Sequence, residues 1–238
     1  MAIMINIPLW LSSAHPCSYL SGQTAHSLVV SNDFTLDVHH YSALIAQGFR
    51  RSGDQVYTPF CQNCKACVPT RLEPKTFQPN RQQKRCLKQN SQTRVVVKPA
   101  GFDAEHFALY QRYQTARHTT IDSPPISIDE YLLFLTSTWC KTWFVEFWIS
   151  DKLTAVAVVD VLDNALSAVY TFFDPEFSSY SPGVYAVLWQ ILQAQQLQLD
   201  CVYLGFWIKD CQKMKYKNQY QPLMGLIDQQ WQLIPNSK

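Results

Sequence analysis

Three β-rich runs follow one another almost without a break: "TWFVEFWIS" from Thr142, "LTAVAVVDVL" from Leu153 and "ALSAVYTFF" from Ala165. Only "DK" and "DN" separate them, too little chain for anything but tight hairpin turns, so the spacing predicts an antiparallel meander. "FDPEFSSYSPG" then breaks the sheet. "VYAVLWQILQAQQLQL" carries the period of an amphipathic helix of about four turns, and "CVYLGFW" returns as a strand.

Three antiparallel strands, a helix and a returning strand predict an α+β chain with the mixed sheet of an N-acetyltransferase-like acyl-transfer fold. The first hundred residues read differently. "HSLVVS", "DQVYTPF" and "RVVVK" are short strand candidates, and "DVHHYSALIAQG" has helical spacing with Gly48 as its stop. Pro79 opens a strongly basic helix, "PNRQQKRCLKQN". Asp103 is placed to cap a helix carrying Phe107, Tyr110 and Tyr113 on one side, "DSPPIS" breaks the chain, and Ser127 with Glu130 forms a capping-box pattern before "YLLFL". The expected division is a cysteine-bearing, basic N-terminal module over 1–100 and an acetyltransferase-like domain over 101–238.

In "FCQNCKACVP", Cys61, Cys64 and Cys67 stand at two-residue gaps. Thiols this close are poor disulfide partners for one another but well placed to face one ion or cluster. No window of 18 apolar residues occurs, which argues against a membrane-spanning helix. The apolar start "MAIMINIPLWLSSA" has no Lys or Arg before it and is interrupted by Asn6 and Pro8, so the expectation is a cytoplasmic chain. There, eight cysteines are read as free thiols or ligands rather than disulfides.

The net charge of +2 hides an asymmetry. From Arg50 to Lys98 eleven Lys and Arg face only Asp54 and Glu73, and a second cluster, Lys209, Lys213, Lys215 and Lys217, is offset by Asp210 alone. Two basic patches on an otherwise acidic chain suggest a polyanionic partner, with a solvated surface as the plain alternative. A coenzyme A thioester is a poor candidate for that anion. Acyl-CoA enzymes hold the pyrophosphate on a Gly-rich turn opening the long helix, whereas "SSYSPGVY" has one Gly and a Pro without an N–H.

"PCSYL", "GFRRSGDQVYTPFCQNCKACVPTRL", "AVYTFFDP" and "YLGFWIKDCQKMKYK" occur in this order. Together they resemble the aminoacyl-tRNA–protein transferases over nearly the whole chain, about Pro16 to Tyr220. The similarity is greatest to the short bacterial branch, the aspartate/glutamate leucyltransferases; the eukaryotic arginyl-tRNA–protein transferases are longer relatives. The resemblance implies transfer of leucine from leucyl-tRNA to proteins beginning with Asp or Glu, which marks them for degradation, and no cofactor for the chemistry itself. It also implies a cysteine-bearing module joined to an acetyltransferase-like domain. This chain departs from the family at "YSPGVYA", where relatives read like "RSLGTYA", and at "TTIDS", where they tend to carry acidic residues and glycine. Alternative readings are an arginyl donor, an acetyl-CoA-dependent N-acetyltransferase, and a zinc-containing RNA-binding module without activity.

An aminoacyl ester is already activated toward amines, so the implied reaction needs no enzyme nucleophile. It needs an acceptor α-amine, of pKa about 8, to lose a proton, and donors for the oxyanion and the departing ribose oxygen. Asp160, Tyr170 and Asp174, at the junction of the central strands with their loops, are the candidate base or proton relay. Against them, Asp174 also fits an Asp-Pro turn and Tyr170 a core aromatic. Lys213, Tyr216 and Lys217 in the family motif suit phosphates and a stacked base of the tRNA end. Arg50 and Arg51, offered between two glycines, suit the acceptor's carboxylate as a bidentate fork, with a phosphate as the alternative. The family motif adds Cys17 to Cys61, Cys64 and Cys67, and four thiolates suit zinc or a four-iron four-sulfur cluster; reduced free thiols are the alternative. Cys86, Cys140, Cys201 and Cys211 read as buried small residues, and His39 and His40 as structural.

Overall fold

The computed structural model describes residues 6–117 and 125–235, so the first five residues, the whole of "TTIDS" and the last three residues lie outside the described residues. In chain order the elements are β1 (Leu9–Leu11), β2 (His15–Pro16), β3 (Thr24–Ala25), β4 (Ser27–Val30), α1 (Val38–Ala46), β5 (Arg50–Ser52), β6 (Gln55–Pro59), β7 (Val68–Leu72), α2 (Arg81–Gln89) and β8 (Arg94–Pro99). They continue as α3 (Ala104–Arg117), α4 (Ile128–Leu135), β9 (Thr142–Ile149), β10 (Lys152–Val161), β11 (Ala165–Phe173), α5 (Pro182–Gln196), β12 (Cys201–Trp207), β13 (Leu223–Ile227) and β14 (Gln230–Ile234).

The meander is present as β9, β10 and β11, each antiparallel to the next. β12 returns parallel to β11 after the crossover through α5. These strands form the centre of an eight-stranded sheet in the order β14-β13-β7-β12-β11-β10-β9-β8. The alternation of β10 buries nearly all of its residues, because helices cover both faces. Leu188, Ile191 and Ala194 of α5 pack on one side with Val145 and Ala157. Leu109 and Tyr113 of α3 and Tyr131 of α4 pack on the other with Val156 and Phe172. Both predicted caps form: the Asp103 carboxylate accepts from the His106 N–H at 3.2 Å, and Ser127 and Glu130 make the reciprocal pair of a capping box.

The sheets do not divide at residue 100. β7 and β8 belong to the eight-stranded sheet, and β7 lies between β12 and β13. The second sheet, β1-β4-β6-β5, is built from the first sixty residues alone. Its end strand, β5, is placed against the point where β11 and β12 part, and the functional geometry begins there.

Candidate functional site

The two arginines of "GFRRSG" are not on a turn, as the flanking glycines suggested. They lie on β5, paired to β6 as Arg50 to Tyr57 and Arg51 to Val56. The turn itself is at Gly53, with φ +59, where an added Cβ would stand 2.0 Å from the Leu133 carbonyl oxygen. Strand alternation sends the two arginine side chains to opposite faces.

Arg51 is 2% exposed and Asp160 0%. The Arg51 Nε and Nη2 donate to the two Asp160 oxygens at 2.7 and 2.6 Å. Its other N–H groups reach the carbonyls of Gly53, Thr136 and Leu135 and the Thr142 hydroxyl at 3.1–3.2 Å. The Thr142 hydroxyl in turn donates to Asp160 at 2.8 Å. All five guanidinium N–H groups therefore have protein acceptors. The geometry corrects two expectations: Arg51 has no donor left for an acceptor carboxylate, and Asp160 is a locked counter-ion rather than an open base.

Arg50 faces the other way. β11 and β12 pair only from Ala165–Ser167 to Cys201–Tyr203, and beyond that β12 stays with β7 while β11 leaves. In the resulting fork lies a cavity of about 20 Å³, room for one water, lined by Arg50, Thr70, Ser167, Val169, Gly205 and Phe206 among others. Arg50 is half-buried over the Phe206 ring, 5.4 Å from its centroid. Among the described residues its guanidinium has no hydrogen-bond or ion-pair partner. Burial opposes its charge, but the surrounding tyrosines Tyr57, Tyr19, Tyr41 and Tyr216 more than offset this and raise its pKa.

Lys217 meets Arg50 across Gly205. A Cβ added at Gly205 would stand 3.3 Å from Arg50 Nη1 and 3.5 Å from Lys217 Nζ, and Gly205 has φ +76. The positive φ is what favours glycine here, and both cations lie close over the strand at that point. Lys217 is 6% exposed, and its ammonium donates to the Phe206 carbonyl at 2.7 Å. Burial first, and Arg50 second, push its pKa down to about 7. Of the three residues expected to meet the tRNA, Lys217 is therefore buried rather than on the surface, whereas Lys213 is exposed and Tyr216 is 40% exposed. A glycine inside the strand pattern "CVYLGFW" was the signal that could have marked this close approach.

Tyr170 sits in an aromatic cluster with Tyr110, Tyr113 and Phe134 and accepts a hydrogen bond from Gln114 at 3.2 Å. Burial and the neighbouring tyrosines raise its pKa well beyond the ordinary value, so it is a donor at neutral pH and not a base. Asp174 is 3% exposed, caps the short turn that follows it through the Glu176 N–H at 3.1 Å, and pairs with Lys152 at 3.3 Å and Arg112 at 3.5 Å. These contacts are those of the Asp-Pro turn reading of Asp174.

Cys17, Cys61, Cys64 and Cys67 line one cleft of about 680 Å³ between the second sheet and the β13–β14 turn. The cleft shares Pro69 and Phe206 with the Arg50 cavity. The Cys17 sulfur accepts the N–H groups of Tyr19 and Leu20 at 3.5 and 3.4 Å. Burial, then the other three thiols, push Cys67 up to about 12. Among the described residues, the one set of three or more His, Cys, Asp or Glu ligand atoms within 4.8 Å of one another is Asp103, His106 and Glu146. A cation already fills that set, since Lys98 Nζ lies 2.5 Å from Glu146 and 3.5 Å from Asp103, while His106 Nε2 lies 2.7 Å from Glu146.

At the front of α5, the turn that would hold a coenzyme pyrophosphate is covered by α2. Gln89 and Asn90 donate to the carbonyls of Ser179 and Tyr180 at 3.1 and 2.9 Å. Among the described residues no helix is long and apolar enough to cross a membrane.

Two family models match the chain: the N terminus of arginine-tRNA-protein transferase over residues 15–85 and its C terminus over 105–227. A protein named aspartate/glutamate leucyltransferase from Pseudomonas fluorescens (strain Pf0-1) is 48% identical over 98% of this chain and 100% of its own length. Proteins of the same name from Pseudomonas putida (strain W619) and Pseudomonas aeruginosa (strain LESB58) are 46% and 43% identical, each over 97% of this chain and 98% of the relative. Among solved structures, the C-terminal domain of a putative lysylphosphatidylglycerol synthetase from Agrobacterium fabrum aligns at a TM-score of 0.46 and 10% identity over 61% of this chain and 48% of that one. At that score it carries no argument.

Proposed function

We propose a place for the reaction from one premise: the chain belongs to the arginine-tRNA–protein transferase family and is an aminoacyltransferase. It transfers leucine from leucyl-tRNA to the N-terminal α-amine of proteins beginning with Asp or Glu, and the added leucine marks them for degradation. The acceptor amine attacks the leucyl ester carbonyl, a C–N bond forms, the ester C–O bond breaks, and the ribose oxygen takes up a proton as the amine loses one. This chemistry belongs to the cytoplasm, where charged tRNA is found. The parted strands β11 and β12 support an acetyltransferase-type sheet, with the acyl group entering the fork.

One observation carries the placement. Arg50 and Lys217 are two cations brought to either side of Gly205, and among the described residues no carboxylate pairs with either. Burying charge without a partner is costly, and an Asp or Glu side chain one or two methylenes from the attacking amine supplies the missing anion. Tyr216, 40% exposed and edge-on to Tyr220 at 6.4 Å, is the exposed ring suited to stack the terminal adenine. Tyr170, protonated at neutral pH, fits as the donor to the departing ribose oxygen. The test is transfer of labelled leucine or arginine from charged tRNA to peptides starting with Asp, Glu, Asn or Ala. Leucine on Asp and Glu alone is expected; arginine transfer, or equal use of Asn, overturns the assignment.

The cysteine cleft supports an iron–sulfur cluster better than zinc. Thiolates bound to one zinc at about 2.3 Å stand at most about 4.6 Å apart, and no three of these sulfurs gather within 4.8 Å. A cluster accepts a wider spread from four cysteines. Cys17, Cys61, Cys64 and Cys67 would hold it, and its charge would relieve the mutual repulsion of their thiolates. Anaerobically purified protein is expected to carry one cluster's iron and sulfide, with Cys64→Ser losing both. Metal-free protein with an unchanged melting temperature would leave the four as free thiols.

A further inference from the structure

Helix α2 lies outside the fork and bears no part of the reaction described so far. Its four cations, Arg81, Lys84, Arg85 and Lys88, are spaced i, i+3, i+4 and i+7, the pattern of a single helical face. All four are exposed, while Gln83 and Cys86 form the opposite, buried face. Arg81 to Lys88 spans about 10 Å at 1.5 Å per residue. The helix contains no acid, and among the described residues none of the four side chains has an ion-pair or hydrogen-bond partner. Like charges at i, i+4, as in Arg81–Arg85 and Lys84–Lys88, repel and destabilise a helix. The stripe is therefore a feature that folding alone does not favour.

Its position is fixed relative to the fork at both ends. At the start of α2, Asn80 and Gln83 donate to the Gln219 carbonyl at 3.4 and 3.1 Å, beside the turn that carries Tyr216 and Lys217. At its end, Gln89 and Asn90 hold the chain just before α5. The segment that α2 holds at Gln219 also carries Lys213 and Lys215, both exposed.

We propose that the α2 stripe, continued by Lys213 and Lys215, is the docking face for the phosphate backbone of the acceptor arm of the charged tRNA, aiming its unpaired 3′ end across Tyr216 into the fork. This rests on the leucyl-tRNA reading above. A row of unpaired cations leading to an exposed aromatic ring matches a duplex backbone followed by single-stranded bases. Cations contacting phosphates carry no sequence information, so they serve any leucyl-tRNA equally and leave donor choice to the fork.

The experiment compares the wild-type chain with Lys84→Ala/Arg85→Ala and Lys84→Glu/Arg85→Glu, using leucyl-tRNA and a leucylated hairpin of the acceptor arm alone, with an Asp-starting peptide at saturation. The alanine pair is expected to flatten the slope of log affinity against log salt by roughly 1.5, at about 0.7–0.9 per phosphate contact. The glutamate pair is expected to raise KM for both RNAs by tenfold or more, with kcat within about twofold and the melting temperature unchanged or higher. If the wild-type chain transfers no leucine, the underlying reading fails. If it transfers and both variants match it in KM and slope, the docking face alone is wrong and the stripe awaits an acidic protein instead. Sensitivity with full tRNA but not with the hairpin also overturns the acceptor-arm assignment.

Discussion

Replacing Arg51 by Met is expected to lower the unfolding free energy by about 3–5 kcal/mol, the cost of leaving one partner of a buried ion pair behind. The carboxylate left behind, Asp160, is fully buried and would retain only the Thr142 hydroxyl at 2.8 Å. Three carbonyls, of Gly53, Thr136 and Leu135, would lose their donor at the same time. Against a total stability of about 5–15 kcal/mol for a typical domain, such a loss is large. It also severs the tie between the second sheet and the meander, because β5 and β10 are joined at this pair. Asp160→Asn should show a loss of similar size, since it leaves the guanidinium without its charge partner. The double variant Arg51→Met/Asp160→Leu should recover most of it, as removing both charges relieves the desolvation that each imposes. Denaturant unfolding of the three variants gives the answer. Single variants that stay within about 1 kcal/mol of the parent yet transfer no leucine would return both residues to catalysis.

That adjacent arginines have such different surroundings explains what the sequence concealed. Two glycines around "RRS" read as a turn, but Gly53 makes the turn and Gly48 ends α1, leaving a three-residue strand between them. Period-two alternation then separates Arg50 from Arg51 completely, and the partner that decides Arg51, Asp160, is 109 residues away. No local pattern carries that pairing. The lysine run hides a similar split: Lys213 and Lys215 are exposed while Lys217 turns inward in the middle of a short tight helix. By contrast the meander, α5, the Asp103 cap and the Ser127–Glu130 capping box were legible, because hairpin spacing, helical period and cap chemistry are all local. β7 was not, since Pro69 argues for an edge. The ladder of β7 with β13 stops at Thr70, one residue before that proline, and so a central strand tolerates it. The β13–β14 hairpin turns at Asp228 and Gln229, φ +47 and +63, without the glycine that announces such a turn.

The second large effect is expected at the acceptor. Arg50→Ala and Lys217→Met should each lower kcat/KM for Asp- and Glu-starting peptides by roughly ten- to a hundredfold, the range of a lost charge-assisted hydrogen bond worth about 1.5–3 kcal/mol. Neither should change leucyl-tRNA affinity by more than about twofold. The two differ in pH dependence. Lys217 titrates near pH 7 in the fold, below its ordinary range, because burial and Arg50 disfavour its charge. Sign follows from this. Below about pH 7 the folded and unfolded chains both hold the proton and the fold bears the full penalty; as pH rises above 7 the folded chain sheds it first, and stability increases. The carboxylate site works the opposite way, since it needs the ammonium. Taking the ratio of kcat/KM for an Asp-starting to an Asn-starting peptide removes the ionisation of the α-amine, which is common to both. In the parent chain that ratio should fall as pH rises through about 7, and in Lys217→Met it should be lower and flat. Arg50→Ala should lower the ratio but keep a dependence on pH, displaced upward because Lys217 no longer faces a second cation. A ratio that ignores pH in the parent, or variants that lose tRNA affinity while preferring acidic peptides as before, would move these two cations from the acceptor to the phosphate of the tRNA end.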